Sequence, residues 1–196
     1  KFELALATIV TMTLTILRSC SCRARDQHDL LLGSTIERAS NMKPDQASKV
    51  ALPRSPGTYV LILQASARKH FRIGKLGMIE IHPGYYLYVG SARGPGGLAA
   101  RVSRHRGRIR SRHWHIDYLL CHTEFREVWF MRSSAVLEHQ WAAVLEVEES
   151  YEIPQTGFGS SDCNCSSHLF STSRPPRLST FRESVQAWSG GSPERL

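Results

Sequence analysis

The sequence predicts an α+β domain, a small antiparallel or mixed sheet flanked by helices. Three observations lead there. The run GTYVLILQ (57–64) is continuously apolar, as a strand buried on both faces is. Strand-like segments crowd the first part of the folded region, and helix-like ones follow with a single strand between them. The hydrophobic fraction of 41% is enough for a real core in a chain of 196 residues.

Each element has its own signal. HFRIGKLGMIEIHPG alternates around a Gly-Lys-Leu-Gly turn and reads as a hairpin, expected to lengthen the sheet. YYLYVG is a further strand. The Gly94-Pro95-Gly96-Gly97 break follows, then a helix to about His105. WHIDYLL (114–120) reads as a short helix, EVWFM (127–131) as a strand and AVLEHQWAAVLEV (135–147) as a helix.

Both ends read differently. Residues 1–52 are a poorly ordered extension, and their apolar stretch Leu4 to Leu17 is too short for a membrane helix of ~20 residues. No small-X-small cleavage site follows it, so it reads as a fragment or a translated extension, with a targeting segment as the lesser reading. Residues 171–196 are rich in Ser, Pro, Gly and Arg, a composition expected to be disordered. The folded domain is therefore placed at 53–170. Five cysteines, an odd count, argue against a disulfide framework and for reduced thiols in the cytoplasm. No membrane partner is expected. Oligomeric state is not legible.

A net charge of +8 hints at a polyanionic partner without identifying one. The helix after the glycine-rich break says more. At 100° per residue, Leu98, Arg101, Val102 and His105 share one face. Arginine on an apolar face needs a partner, either a carboxylate or a bound phosphate. Two strands also set a phenol near a glycine, in Gly57-Thr58-Tyr59 and in Tyr88-Val89-Gly90. Strand propensity alone accounts for tyrosines but not for this order.

The order GTY, YVG and LAARVSRH resembles the GIY-YIG nuclease superfamily. GTYVLIL, GKLG, GYYLYVGSARGPGGLAAR, RHWHIDYLL and GFGSSDCNCSSHLF resemble its small Uri-type branch more closely, over roughly Pro56 to Phe170. The resemblance implies a Mg²⁺- or Mn²⁺-dependent endonuclease acting on DNA, with structured, damaged or single-stranded DNA as the candidate substrates. The alternative is a nucleic-acid-binding module that keeps the fold without turnover. Carried over motif by motif, the implied catalytic residues are Tyr59, Tyr88 and Arg101, with Glu138 as metal carboxylate. Glu138 lies beside Trp141 and Leu145 at the edge of its helix's apolar face, while Glu146 points away. Arg101 and a cation are expected to lower the Tyr59 phenol so that it activates water, and His105 to position it or share the proton. The superfamily's late Asn is not transferred to Asn164.

Two further features are chemical. RVSRHRGRIRSR supplies Arg104, Arg106, Arg108, Arg110 and Arg112 after Arg101, with no acid, and reads as a track for a nucleic-acid backbone. Trp114 is expected in the core. His113, His115 and Asp117 in one segment, and Asp162, Cys163, Cys165 and His168 in another, form a possible second site or a structural loop. A tetrahedral Zn²⁺ is conceivable, but Cys-X-Cys-X-X-His matches no standard finger. The reading favours a hydrogen-bonded loop, its turns capped by Ser160, Ser161 and Asp162 and held by His115 or Asp117.

Overall fold

A computed structural model of the chain describes residues 51–107, 111–189 and 191–196. The expectations for residues 1–50, and those for Arg108 and Arg110, lie outside the described residues. The fold is α+β, as expected. Five antiparallel strands form the main sheet in the order β6-β4-β1-β5-β7. They are β1 (Gly57–Ala65), β4 (Gly84–Ala92), β5 (Glu124–Arg132), β6 (Leu169–Thr172) and β7 (Glu194–Arg195). The helices are α1 (Gly97–Arg106), α2 (His115–Leu119), α3 (Glu138–Val147) and α4 (Leu178–Ser189).

The central place of β1 explains its unbroken apolar run. Successive strand side chains point to opposite faces, and both faces of β1 are covered. Tyr59, Leu61 and Leu63 enter a core with Leu98 and Val102 of α1 and Ile116 and Leu119 of α2. Val60 and Ile62 enter a second core with Trp141 and Leu145 of α3 and Phe181 and Val185 of α4. The sheet is thus the middle layer between two helix pairs.

Two expectations change. The hairpin β2 (Lys69–Ile73) and β3 (Gly77–Ile81) does not lengthen the main sheet but forms its own two-stranded one. The reason is that β1 pairs along its length with β4 on one side and with β5 on the other, so it has no free edge. The hairpin instead adds Ile73, Ile79 and Ile81 to the α1/α2 core.

The segment 171–196, expected to lack structure, contains the end of β6, α4 and β7. Its polar composition hides a few large apolar side chains. Phe181 is 2% exposed and meets the rings of Trp129 and Trp141 at 5.3 and 5.2 Å between centroids. The domain therefore runs beyond Phe170. Among the described residues, no helix is long and apolar enough to cross a membrane.

Candidate active site

Antiparallel register builds the site from its centre. Tyr59 on β1 lies opposite Gly90 on β4. A Cβ at position 90 would sit 2.6 Å from the Tyr59 hydroxyl oxygen, so only glycine lets the phenol lie across the neighbouring strand. That contact is the physical reason for the Tyr-Val-Gly triplet. On the next helix, His105 is 4% exposed and its Nε2 lies 2.8 Å from the Tyr59 hydroxyl.

The glycines before α1 serve packing. A Cβ on Gly97, whose φ is 54°, would run into the Ser55 carbonyl. The first-turn amides of Leu98 and Ala99 donate to the carbonyls of Ser55 and Pro53 at 3.0 and 2.9 Å. These donors are consumed by backbone, so this glycine-rich turn is no phosphate cradle.

Arg101 lies on the same helix face as Leu98, Val102 and His105, as the spacing predicts. Its expected carboxylate is missing among the described residues; the guanidinium instead stacks 4.3 Å over the Trp114 ring. The structural ion pair belongs to the next arginine on the helix. Arg104 grips Asp117 with both arms, at 2.7 and 2.9 Å, and stacks on Trp114 at 3.9 Å. Asp117 has no exposed surface and also accepts the backbone N–H groups of His113 and Trp114. Burial alone would raise its carboxyl; the Arg104 fork and the two amides outweigh it and hold it at about 2. Trp114, expected in the core, is 40% exposed, because two guanidinium planes take the place of apolar neighbours.

Tyr59, Tyr88, Arg101, His105 and Glu138 converge on one cleft of about 170 Å³. They come from β1, β4, α1 and α3. Trp114, Asp162 and His168 complete its polar wall. Glu138 opens α3, where a negative charge suits the positive end of the helix dipole. Larger grooves exist, such as one of about 470 Å³ beside Glu80, His82 and Glu152, but none gathers this chemistry.

Burial governs the titration of the cleft. It lowers His105 to about 4, with Arg101 and Arg104 adding to the effect, so the imidazole is neutral near pH 7. Burial, then the neighbouring Tyr88, pushes the Tyr59 phenol well above its ordinary value. Arg101 acts in the opposite direction and by itself is outweighed; the expected lowering of the phenol counted on a cation beside Arg101. Tyr88 is likewise raised by burial against Arg101. Both tyrosines are neutral donors unless a stronger positive charge arrives. The carboxylates of Glu138 and Asp162, both lining the cleft, are hard oxygen donors of the kind that suits Mg²⁺ or Mn²⁺.

A family described as a domain of unknown function, DUF123, matches residues 58–189. The chain belongs to this family. The match covers more than half the chain and spans every residue of the cleft. Comparison with curated proteins and with solved structures gives no match.

The remaining candidate residues of this DUF123 domain separate into groups. Arg106 is exposed and lies over Phe125 at 4.6 Å, and Arg112 over Tyr118 at 5.3 Å. With Arg104 committed to Asp117, the described arginines of the basic run do not form one continuous free track. His115 Nδ1 accepts the N–H of Gly159 at 3.0 Å and so pins the loop before β6, as the loop reading expected. His113 contributes its backbone N–H to Asp117. Neither it nor His115 or Asp117 joins the cysteines.

Cys163, Cys165 and His168 do come together, and a residue not singled out from sequence joins them. His139 of α3 brings its ligand atom within 4.8 Å of the other three. The missed signal was its position directly after Glu138, so that one helix start serves both the cleft and the cysteine loop. Asp162 was assigned to the cysteine segment alone, yet it faces the cleft.

Proposed function

We propose that this DUF123 domain is a metal-dependent endonuclease of GIY-YIG type that hydrolyses phosphodiester bonds in DNA. One observation carries the reading. Two tyrosines, an arginine with no carboxylate partner among the described residues, a neutral histidine and a carboxylate meet in one cleft from four separate elements. Arg101 is the clearest pointer to the substrate. Its guanidinium carbon lies 4.3 Å from the centre of the Trp114 ring, and among the described residues it has no carboxylate partner of the kind a purely structural arginine would have. A planar fork held this way matches two phosphate oxygens.

A bound Mg²⁺ or Mn²⁺ would offset charge on the phosphate and strengthen acid–base steps beside it. Glu138 and Asp162 are the residues to hold it. Tyr59 and His105 act as a pair. The neutral imidazole accepts the phenol proton at Nε2 while the phenol oxygen takes a proton from the attacking water. That direction requires the His105 proton to reside on Nδ1. The water oxygen forms the new bond to phosphorus as the ester P–O bond breaks; the leaving oxygen takes a proton from solvent, and His105 returns its proton through Tyr59 to solvent to restore the pair. Arg101 donates hydrogen bonds to the charge that develops on the equatorial oxygens. Tyr88, a neutral donor, orients water or phosphate. The cytoplasmic placement rests on the odd cysteine count and on Cys121, Cys163 and Cys165, none of which is in a disulfide among the described residues.

The test is incubation of the full chain with supercoiled plasmid, branched DNA and single-stranded DNA, each with Mg²⁺, Mn²⁺ or EDTA. Cleavage of at least one DNA form, abolished by EDTA, is expected. Tight, salt-sensitive binding with no cleavage under any condition would replace the enzyme by a binding module. Absence of both would reject a nucleic-acid role.

A further inference from the structure

The cysteine loop carries chemistry that the cleft does not use. Cys163 Sγ lies 3.5 Å from His168 Nε2, and Cys165 Sγ lies 3.4 Å from His139 Nδ1. The four ligand atoms all fall within 4.8 Å of one another. With Zn–S near 2.3 Å and Zn–N near 2.05 Å, a tetrahedral site has S···N edges of about 3.5 Å. Both observed separations match that edge. The remaining separations are no more than 4.8 Å, against tetrahedral S···S and N···N edges of roughly 3.8 and 3.3 Å, a difference within reach of side-chain rotation.

We infer that His139, Cys163, Cys165 and His168 form a structural zinc site that ties the start of α3 to the loop before β6. Two thiolates and two imidazoles are a borderline-soft, four-fold donor set, which selects zinc over magnesium or calcium. All four positions are filled by protein, as in sites that hold structure and have no open place for substrate. Binding displaces one proton from each thiol to solvent.

The surroundings fit a built site. The other ring nitrogen of His139, Nε2, lies 3.7 Å from a Glu138 carboxylate oxygen, an electrostatic contact longer than a hydrogen bond. The Ser166 hydroxyl donates to Glu146 of the same helix at 2.5 Å, a second tie between loop and α3. The ion would therefore fix two residues of the cleft from behind. Glu138 precedes the ligand His139, and Asp162 precedes the ligand Cys163. His168 is a ligand and a cleft-wall residue at once.

The experiment is elemental analysis of the full chain, grown with zinc and purified without chelator, together with thiol titration. About one zinc per chain is expected, released in step with modification of two thiols by an organomercurial. Cobalt(II) in its place should give the strong visible absorption of a tetrahedral thiolate site. Chelation should lower the unfolding midpoint by at least ~5 °C. The double variant Cys163→Ser, Cys165→Ser should lose the metal. If that variant does not fold, mercurial release from the unaltered protein decides alone. Protein that takes up no zinc even after reconstitution, or that keeps its zinc when the thiols are blocked, overturns the inference. A disulfide between Cys163 and Cys165 in protein handled without oxidant would overturn it too. None of these readings involves DNA, so the zinc site and the nuclease can fail separately.

Discussion

At the residue scale, Tyr59, Gly90 and His105 form one device. The glycine makes room for the phenol, and the phenol meets the imidazole. The arrangement stores a pH dependence in the fold. His105 is held at about 4 against an ordinary 6.5, because burial and the nearby Arg101 and Arg104 guanidinium groups disfavour its charge; Asp117 acts weakly the other way. The folded protein therefore resists taking up a proton that the unfolded chain accepts below about pH 6.5. Stability from this group is complete above that pH and is lost as pH falls towards 4, on the order of 3 kcal/mol in all. Chemical denaturation of the unaltered protein and of His105→Gln between pH 7 and 4.5 checks this. The variant should show the shallower loss. Parallel curves would mean that His105 is not the group that resists charging. His115 and His122 are also lowered by burial and add to the slope that remains.

At the element scale, α4 shows how few apolar residues can commit a polar segment to structure. Its sequence, LSTFRESVQAWS, presents Phe181 and Val185 one turn apart to α3 and the sheet. Phe181 sits between Trp129 and Trp141, so its removal leaves a cavity under two large rings. Phe181→Ala should cost about 3–5 kcal/mol, and deletion from Pro175 onward should cost at least as much. Equilibrium unfolding of both proteins is the check. Unchanged stability would mean that α4 only rests on the domain. The same element marks the limit of composition as a guide. Serine, proline and arginine dominate 171–196, and disorder is the natural expectation, because two buried side chains in one helix barely move an average.

At the scale of the whole molecule, the legible parts were local and the illegible ones were distant in sequence. The double-faced strand β1, the α1 face carrying Arg101 and His105, and the edge position of Glu138 all followed from period alone. The hairpin β2–β3 was legible as a hairpin but not in its place, since nothing in its sequence states that both edges of β1 are occupied. The partner of Arg104 was out of reach for the same reason: Asp117 comes from α2 and is chosen by packing. His139 carried no pattern of its own, and only the fold brings it to the cysteines. The balance at the Tyr59 phenol was out of reach as well, because its burial, which outweighs Arg101 alone, is set by the fold.

These scales meet at Glu138, the carboxylate that separates an enzyme from a binder. Its side chain is 19% exposed and lines the cleft with Arg101 and both tyrosines. Glu138→Gln keeps the shape and removes the charge that would hold a divalent ion. The decisive measurement is the cleavage rate of this variant on the best-cut DNA in Mg²⁺, with DNA affinity and zinc content measured on the same preparation. Metal-assisted stabilisation of the transition state is worth several kcal/mol, so cleavage should fall at least ~10³-fold. DNA binding should persist or tighten, zinc should stay bound, and the exposed Glu149→Gln should cut normally. Near-normal cleavage by Glu138→Gln would contradict the account, because the cleft would then be working without its metal carboxylate.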